Sequence, residues 1–186
     1  MKPKWQIFLL FVIFLVALLI VSLIAAALGV VVIAVSVADL SEAIFDFWSL
    51  GHLLSGIGIF MFVFTLYFVI KNVVDEPGEP PGLEIPTIKN MFISWLICII
   101  GAVVWEIIEN LLFYAVGIKV KYDSWVNIIT DILLWGIGGL GAWILTHLMF
   151  VSKDTVHAYY IFTAVNIATI IILFISFYYM TFNLSP

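Results

Sequence analysis

Residues 91–116 read MFISWLICIIGAVVWEIIENLLFYAV, an apolar stretch long enough to cross a lipid bilayer. Its second half contains Glu106 and Glu109, followed by Asn110. A charged residue near the centre of a span costs about 2.5–3.5 kcal/mol on insertion scales, so two glutamates in one span need a partner, a proton or a cation. The chain has no Arg, and all 7 Lys lie at span ends or between spans. The stretch therefore predicts a membrane protein with a polar site inside it.

The composition of the whole chain agrees with this class. Of its 186 residues, 65% are hydrophobic and 10% are charged, whereas soluble domains carry about 25% charged residues. The formal net charge of −5 argues against nucleic acid as a partner. Cys98 is the single cysteine, so no internal disulfide can form. We predict an all-α, polytopic transmembrane bundle in which the lipid bilayer is the main partner.

Five apolar stretches predict five spans within one transmembrane domain, residues 1–186. Each exceeds the roughly 20 residues that a crossing helix needs. The first is far longer than the core of a signal peptide, about 7–15 residues, so we expect it to be retained as a span. The predicted spans cover residues 5–35, 45–70, 88–116, 125–151 and 158–182.

Two local patterns predict the connections around the second span. Asp39 and Glu42 have the spacing of a capping box, which predicts that the second helix begins near Leu40. Residues 71–87 are acidic and rich in proline, which excludes a regular helix and predicts a stiff loop.

The positions of the lysines predict the orientation of the chain in the plasma membrane. If the N-terminus lies in the cytoplasm, more lysines lie on the cytoplasmic side than outside. This agrees with the excess of Lys and Arg that cytoplasmic loops carry. We therefore predict a cytoplasmic N-terminus and an external C-terminus. The inside set is Lys2, Lys4, Lys71, Lys89 and Lys153, and the outside set is Lys119 and Lys121.

Polar residues of the second, third and fourth spans share one depth. The third span ends on the side where the second and fourth begin, so a rise of about 1.5 Å per residue puts these side chains in the outer half of the bilayer. Glu106, Glu109 and Asn110 also share one helical face. Gly136 and the glycines after it make the fourth helix thin, so a neighbour can pack closely. The predicted binding cluster consists of His52, Ser55, Glu106, Glu109, Asn110, Asn127 and Asp131.

Carboxylates and a histidine without a basic partner favour a positively charged guest. If that guest is a divalent cation, one His and three acids suit a hard metal better than a structural zinc site. Purely structural roles for these polar residues also stay open. A polar residue near the start of a helix can stabilise that end, and a buried His can make a single interhelical hydrogen bond. The candidate metal ligands are His52, Glu106, Glu109 and Asp131.

The order of these polar segments along residues 46–142 resembles the VanZ-like and YjdF-like groups of small prokaryotic integral membrane proteins. The resemblance implies a shared fold and site, with a loose link to the cell envelope. The segments that carry it are Leu50-Gly51-His52-x-x-x-Gly56, Trp105-Glu106-x-x-Glu109, and Asp123-x-Trp125 with Asn127 and Asp131 before the glycine-rich half of the fourth span.

Three functions stay open on the sequence. The first is a transporter-like or sensor-like protein that binds a cation, a proton or a small polar solute. The second is an accessory subunit that packs against a membrane-protein partner. The third is an intramembrane, metal-dependent enzyme that acts on a lipid or envelope precursor. No Gly-x-Ser-x-Gly pattern is present, so the sequence assigns no catalytic nucleophile.

Overall fold

The computed structural model describes residues 3–75, 87–119, 121–151 and 156–183. These ranges contain five long helices and no β-strand. Each helix includes a segment long and apolar enough to cross a membrane, which confirms the predicted all-α, multi-pass class. The helices are α1 (Pro3–Ala27), α2 (Phe47–Asp75), α3 (Ile88–Ile107, continued as a π-helix over Ile108–Phe113), α4 (Trp125–Val151) and α5 (Val156–Asn183).

Helices α2 and α4 form the central pair of the bundle. A Cβ atom added at Gly56 would overlap the backbone carbonyl of Trp135, and one added at Gly138 would overlap that of Leu53. The two backbones therefore touch, as small residues at helix crossings allow. Helices α1 and α3 pack against α4, and α5 packs against α2.

Side-chain donors bridge the helices at several depths. Trp95 Nε1 on α3 donates to the carbonyl of Gly136 on α4 at 3.1 Å. Asn166 Nδ2 on α5 donates to the carbonyl of Leu54 on α2 at 3.3 Å. Helices in lipid have little hydrophobic drive to associate, so such bonds and close packing hold the bundle together.

The first helix ends at Ala27, well before the predicted end near residue 35. Gly29 has φ of 82°, a left-handed conformation that glycine adopts without steric cost. Its N–H bonds the carbonyl of Ala26 at 3.0 Å, and the N–H of Val30 bonds that of Ala25 at 3.0 Å. This Schellman motif stops the helix, although the following residues are as apolar as the span itself.

The second helix begins at Phe47, so the predicted start near Leu40 is wrong. The Asp39 carboxylate accepts instead from the N–H of Ser36 at 3.1 Å and from its hydroxyl at 2.7 Å. The N-cap acceptor is Asp46, whose Oδ1 lies 2.8 Å from the N–H of Trp48. At its other end α2 continues to Asp75, past the predicted end at residue 70, and the proline-rich segment 76–86 lies outside the described residues.

The segment between α1 and α2 folds back onto the start of α4. Asn127 Nδ2 donates to the carbonyl of Ala43 at 3.2 Å, and the hydroxyl of Thr130 donates to that of Ile44 at 3.0 Å. Ala43 and Ile44 are fully buried. The buried backbone of this loop is therefore satisfied by polar side chains of α4.

Candidate functional site

Three buried side chains from three helices meet near the end of the bundle that carries loops 28–46 and 114–124. They are His52 on α2, Glu106 on α3 and Asp131 on α4, and we call them the deep cluster. One ring nitrogen and one oxygen from each acid lie within 4.8 Å of one another. His52 Nε2 is 3.3 Å from Asp131 Oδ2. The structure thus brings together three of the four predicted metal ligands, and the fourth, Glu109, belongs to a separate group.

A second group, the rim cluster, consists of Glu109, Lys119 and Asp123. Lys119 Nζ donates to Glu109 Oε1 at 2.9 Å and also to the Asp123 carboxylate. Trp105 Nε1 donates to the other Glu109 oxygen at 2.8 Å. Both oxygens of Glu109 are therefore satisfied within the protein.

The sequence did not assign Lys119 to the site, because this lysine follows the third span rather than lying within it. Gly117, with φ of 74°, reverses the chain at the end of α3. The N–H of Gly117 bonds the carbonyl of Tyr114 at 3.1 Å, and that of Ile118 bonds Phe113 at 2.9 Å, another Schellman motif. The reversal brings Lys119 back against α3, where it bonds Glu109. The expectation that Glu109 has no lysine partner is therefore wrong.

Asn110 connects the two clusters. Its Nδ2 donates to Glu106 Oε2 at 3.3 Å, and its Oδ1 accepts from the N–H of Asp123 at 2.9 Å. Asn110 lies in the π-helical segment of α3, a form that occurs mostly as single turns at functional sites. One amide therefore fixes a carboxylate of the deep cluster relative to the loop of the rim cluster.

Asp131 has an incomplete set of hydrogen bonds. Its side chain is buried, with 2% exposure for the residue, and Oδ1 has no hydrogen-bond partner among the described residues. Asp131 also interacts electrostatically with four other acids: Asp46, Glu106, Glu109 and Asp123. Buried polar atoms are nearly always paired, so Oδ1 of Asp131 is the atom of this cluster that can accept a further hydrogen bond or ligand.

Two charged groups outside the spans show how strongly this end of the bundle affects ionisation. Burial raises the pKa of Asp46, although N–H groups of α2 partly oppose the shift. Burial on its own would lower the pKa of Lys119, but the negative charges of Glu109 and Asp123 outweigh it and the pKa is raised. Lys119 therefore stays protonated at neutral pH.

The other predicted site residues have different surroundings. Asn127 bonds the carbonyl of Ala43 and so holds loop 28–46, outside both clusters. Ser55 is buried on α2, 4% exposed, about one helical turn from His52. Trp135 was missed by the sequence reasoning, yet its Nε1 lies 2.8 Å from His52 Nδ1. Its position four residues after Asp131, one helical turn further along α4, was the available signal.

Aromatic side chains cover the site beside α5. The ring of Phe174 on α5 lies 5.1 Å from that of Trp105 and 5.5 Å from that of Trp48, centroid to centroid. Trp105 in turn donates to Glu109. Through Trp105, the aromatic contacts of α5 therefore reach the rim cluster.

The two clusters differ in what they can bind. Glu106, Glu109 and Asp123 have carboxylate oxygens within 4.8 Å of one another, but the Lys119 ammonium already bonds two of these acids. The deep cluster contains no lysine, and no ammonium group of the described residues bonds its carboxylates. In comparisons with protein-family models, curated proteins and solved structures, the chain has no match.

Proposed function

We propose that this chain is a transporter-like or sensor-like membrane protein that binds a cation or a proton at the deep cluster, His52, Glu106 and Asp131. The observation that carries the proposal is Asp131, a buried acid with one unpartnered oxygen beside a second buried acid. Intramembrane carboxylates in such a setting characteristically mark ion and proton sites.

The charge count supports the proposal. Five acids interact at this end of the bundle, and Lys119 pairs with two of them, Glu109 and Asp123. Lys121 bonds Glu42 at an exposed position and contributes little to the buried group. A set of buried carboxylates with too few cations must take up protons or bind a soluble cation.

The proposal includes a plasma-membrane location with a cytoplasmic N-terminus, and the support for this orientation is the distribution of lysines in the sequence. The VanZ-like resemblance is consistent with a site at these positions. The alternatives, an accessory subunit or a metal-dependent enzyme, have no specific observation in their favour within the described ranges.

The test is the stability of purified protein in detergent across a series of cations and pH values. Sodium, potassium, magnesium and calcium chlorides are compared at constant ionic strength, and pH is varied separately. A guest at 100 times its dissociation constant stabilises the folded state by about 2.7 kcal/mol. We expect either one cation series or the pH series to raise the melting temperature of the wild-type protein.

Asp131→Asn should remove that response and still fold, because the amide oxygen can accept from His52 as the carboxylate does. Glu106→Gln should act in the same direction. The matched control is Glu42→Gln, which removes an exposed acid near the same end of the bundle and should leave the response unchanged. A wild-type protein insensitive to every cation and to pH, or a response that persists in Asp131→Asn, would refute the proposed site.

Flux measurements separate the two forms of the proposal. Proteoliposomes that contain the wild-type protein should carry the stabilising ion across the membrane if the protein is a transporter, and Asp131→Asn should stop that flux. A sensor would bind the ion with the same dependence on Asp131 and show no flux.

A further inference from the structure

The two ring nitrogens of His52 have different partners. Trp135 Nε1 lies 2.8 Å from His52 Nδ1, and Asp131 Oδ2 lies 3.3 Å from His52 Nε2. An indole nitrogen can only donate a hydrogen bond, so Nδ1 must accept and cannot carry a proton. A neutral ring then has its proton on Nε2, and the acceptor facing that nitrogen is Asp131 Oδ2.

This arrangement is the reverse of the one around a metal-binding histidine. Such a histidine coordinates through one nitrogen and donates the N–H of the other to a carboxylate, a carbonyl or water. In the deep cluster a donor, Trp135, occupies the position where an acceptor would be needed. A metal on Nε2 would require either loss of a second proton from His52 or a proton on Nδ1, facing the indole N–H.

Neither ring nitrogen is therefore available as a ligand. Nδ1 accepts from Trp135, and Nε2, which carries the proton of the neutral ring, lies 3.3 Å from Asp131 Oδ2. The remaining ligand atoms are oxygens of Asp131 and Glu106, including the unpartnered Asp131 Oδ1. Carboxylate oxygens alone suit hard cations, whereas zinc-type metals prefer sites that include imidazole or thiolate.

The position of Trp135 is fixed by the scaffold. The residue is buried, 6% exposed, and a Cβ atom on Gly56 would overlap its backbone carbonyl. The contact of α2 with α4 thus holds the indole against the histidine one turn away on the facing helix. His52 cannot change its tautomer without leaving two N–H groups opposed in a buried site, which is unfavourable.

We propose that Trp135 determines the metal selectivity of the deep cluster: by holding His52 as a hydrogen-bond donor to Asp131, it leaves an all-oxygen site that accepts a hard group 1 or group 2 cation and rejects zinc-type transition metals. The inference rests on the proposed function, since it names the class of cation that the site takes. It also gives His52 a positioning role rather than a ligand role.

The main experiment measures cobalt binding, because Co²⁺ reports its ligands through visible absorption and substitutes for zinc. Three proteins are compared by titration: wild type, Trp135→Phe, and Trp135→Phe combined with His52→Gln. Outer-shell partners of a metal-binding histidine change metal affinity by about 10–100-fold, so Trp135→Phe should bind Co²⁺ more tightly by about that factor. The double variant should lose the gain, because the gain depends on His52.

A second measurement needs no substitution of Trp135. In wild-type protein with ¹⁵N-labelled histidine, the chemical shifts of the His52 ring should show one unprotonated and one protonated nitrogen, and Zn²⁺ should leave them unchanged. His52→Gln identifies the His52 signals among those of His147 and His157. A protonated Nδ1, or a His52 signal shifted by Zn²⁺, would overturn the inference even if Trp135→Phe failed to fold.

The outcomes also separate this inference from the proposed function. Equal Co²⁺ affinity in wild type and Trp135→Phe, with stabilisation by sodium or calcium intact, would overturn the role of Trp135 and leave the cation site standing. A wild-type protein that responds to no cation and no pH change would refute the site itself, whatever its histidine tautomer.

Discussion

Asp131 and Glu109 are both acids within membrane spans, yet their hydrogen-bond partners differ. Glu109 bonds the Lys119 ammonium at 2.9 Å and the Trp105 indole at 2.8 Å. Asp131 Oδ2 lies 3.3 Å from His52 Nε2, and its Oδ1 has no hydrogen-bond partner in the described part of the chain. The rim cluster contains a lysine that bonds two of its acids, whereas the deep cluster, as defined by its three residues, contains none.

The difference follows from where each acid lies along its helix. Glu109 is near the end of α3, within reach of a loop that can return a lysine to it. Asp131 lies further inside, where a lysine on a neighbouring helix would itself have to be buried. A lysine can therefore pair with an acid at the rim at a lower desolvation cost than it could at the deep position.

The largest expected effect on the difference between the two clusters comes from removing the Lys119 ammonium group. Lys119→Met leaves Glu109 and Asp123 without their partner at positions where the three side chains are 5–15% exposed. Breaking a buried ion pair costs about 3 kcal/mol or more, so the free energy of unfolding in detergent should fall by about that amount. Denaturant titration of wild type and variant measures it.

Lys119 also predicts a dependence on alkaline pH. Its folded-state pKa is raised above 10.5, so the stability it contributes is complete below pH 10.5 and is lost as pH rises through the folded-state value. Lys119→Met should lack this alkaline loss. The control is Lys121→Met, whose pair with Glu42 is about half exposed and should contribute at most about 1 kcal/mol. Equal losses in the two variants would contradict the role given to Lys119.

A second change should act on the deep cluster and spare the rim. Gly56→Ala would drive a methyl group into the Trp135 carbonyl and push α2 away from α4. Overpacking of this kind costs about 1–3 kcal/mol, and separation of His52 from Asp131 should also weaken the cation or pH response. Gly141→Ala is the matched control, since nothing lies within 4 Å of the added atom. If Gly56→Ala is destabilised but its cation or pH response is unchanged, that response does not depend on the distance between His52 and Asp131.

The smallest expected effect concerns Asp46, an acid that interacts with Asp131 from just outside the span. Its pKa is raised above 3.8 by burial, so the folded state holds this proton more tightly and stability should fall as pH rises from about 3.8 through the folded-state value. Asp46→Asn keeps the N-cap acceptor and should remove that slope, with melting temperature followed from acid to neutral pH. Asp46→Ala should instead lose about 1 kcal/mol at every pH, because the cap is lost. A slope retained in Asp46→Asn would assign the acid dependence to other groups.

The sequence predicted the helices better than their ends. Apolar stretches of sufficient length can only be satisfied in lipid as helices, so the five helices follow from hydrophobicity alone. The error at residues 28–46 arose because Val31 and Ile33, in the loop, are as apolar as residues of the span. Gly29 stops α1 through its backbone conformation, which a hydrophobicity pattern does not record.

The amino-acid sequence by itself determined that this chain crosses a membrane and that His52, Glu106 and Asp131 lie near one level, because span order and helical rise fix depth. Only the tertiary structure decided which atoms meet. It returned Lys119 to Glu109 through the turn at Gly117, and it set the Trp135 indole against His52 through the contact of α2 with α4. Both depend on rotations of helices and a reversal of the chain, and those are chosen by packing between segments far apart in sequence.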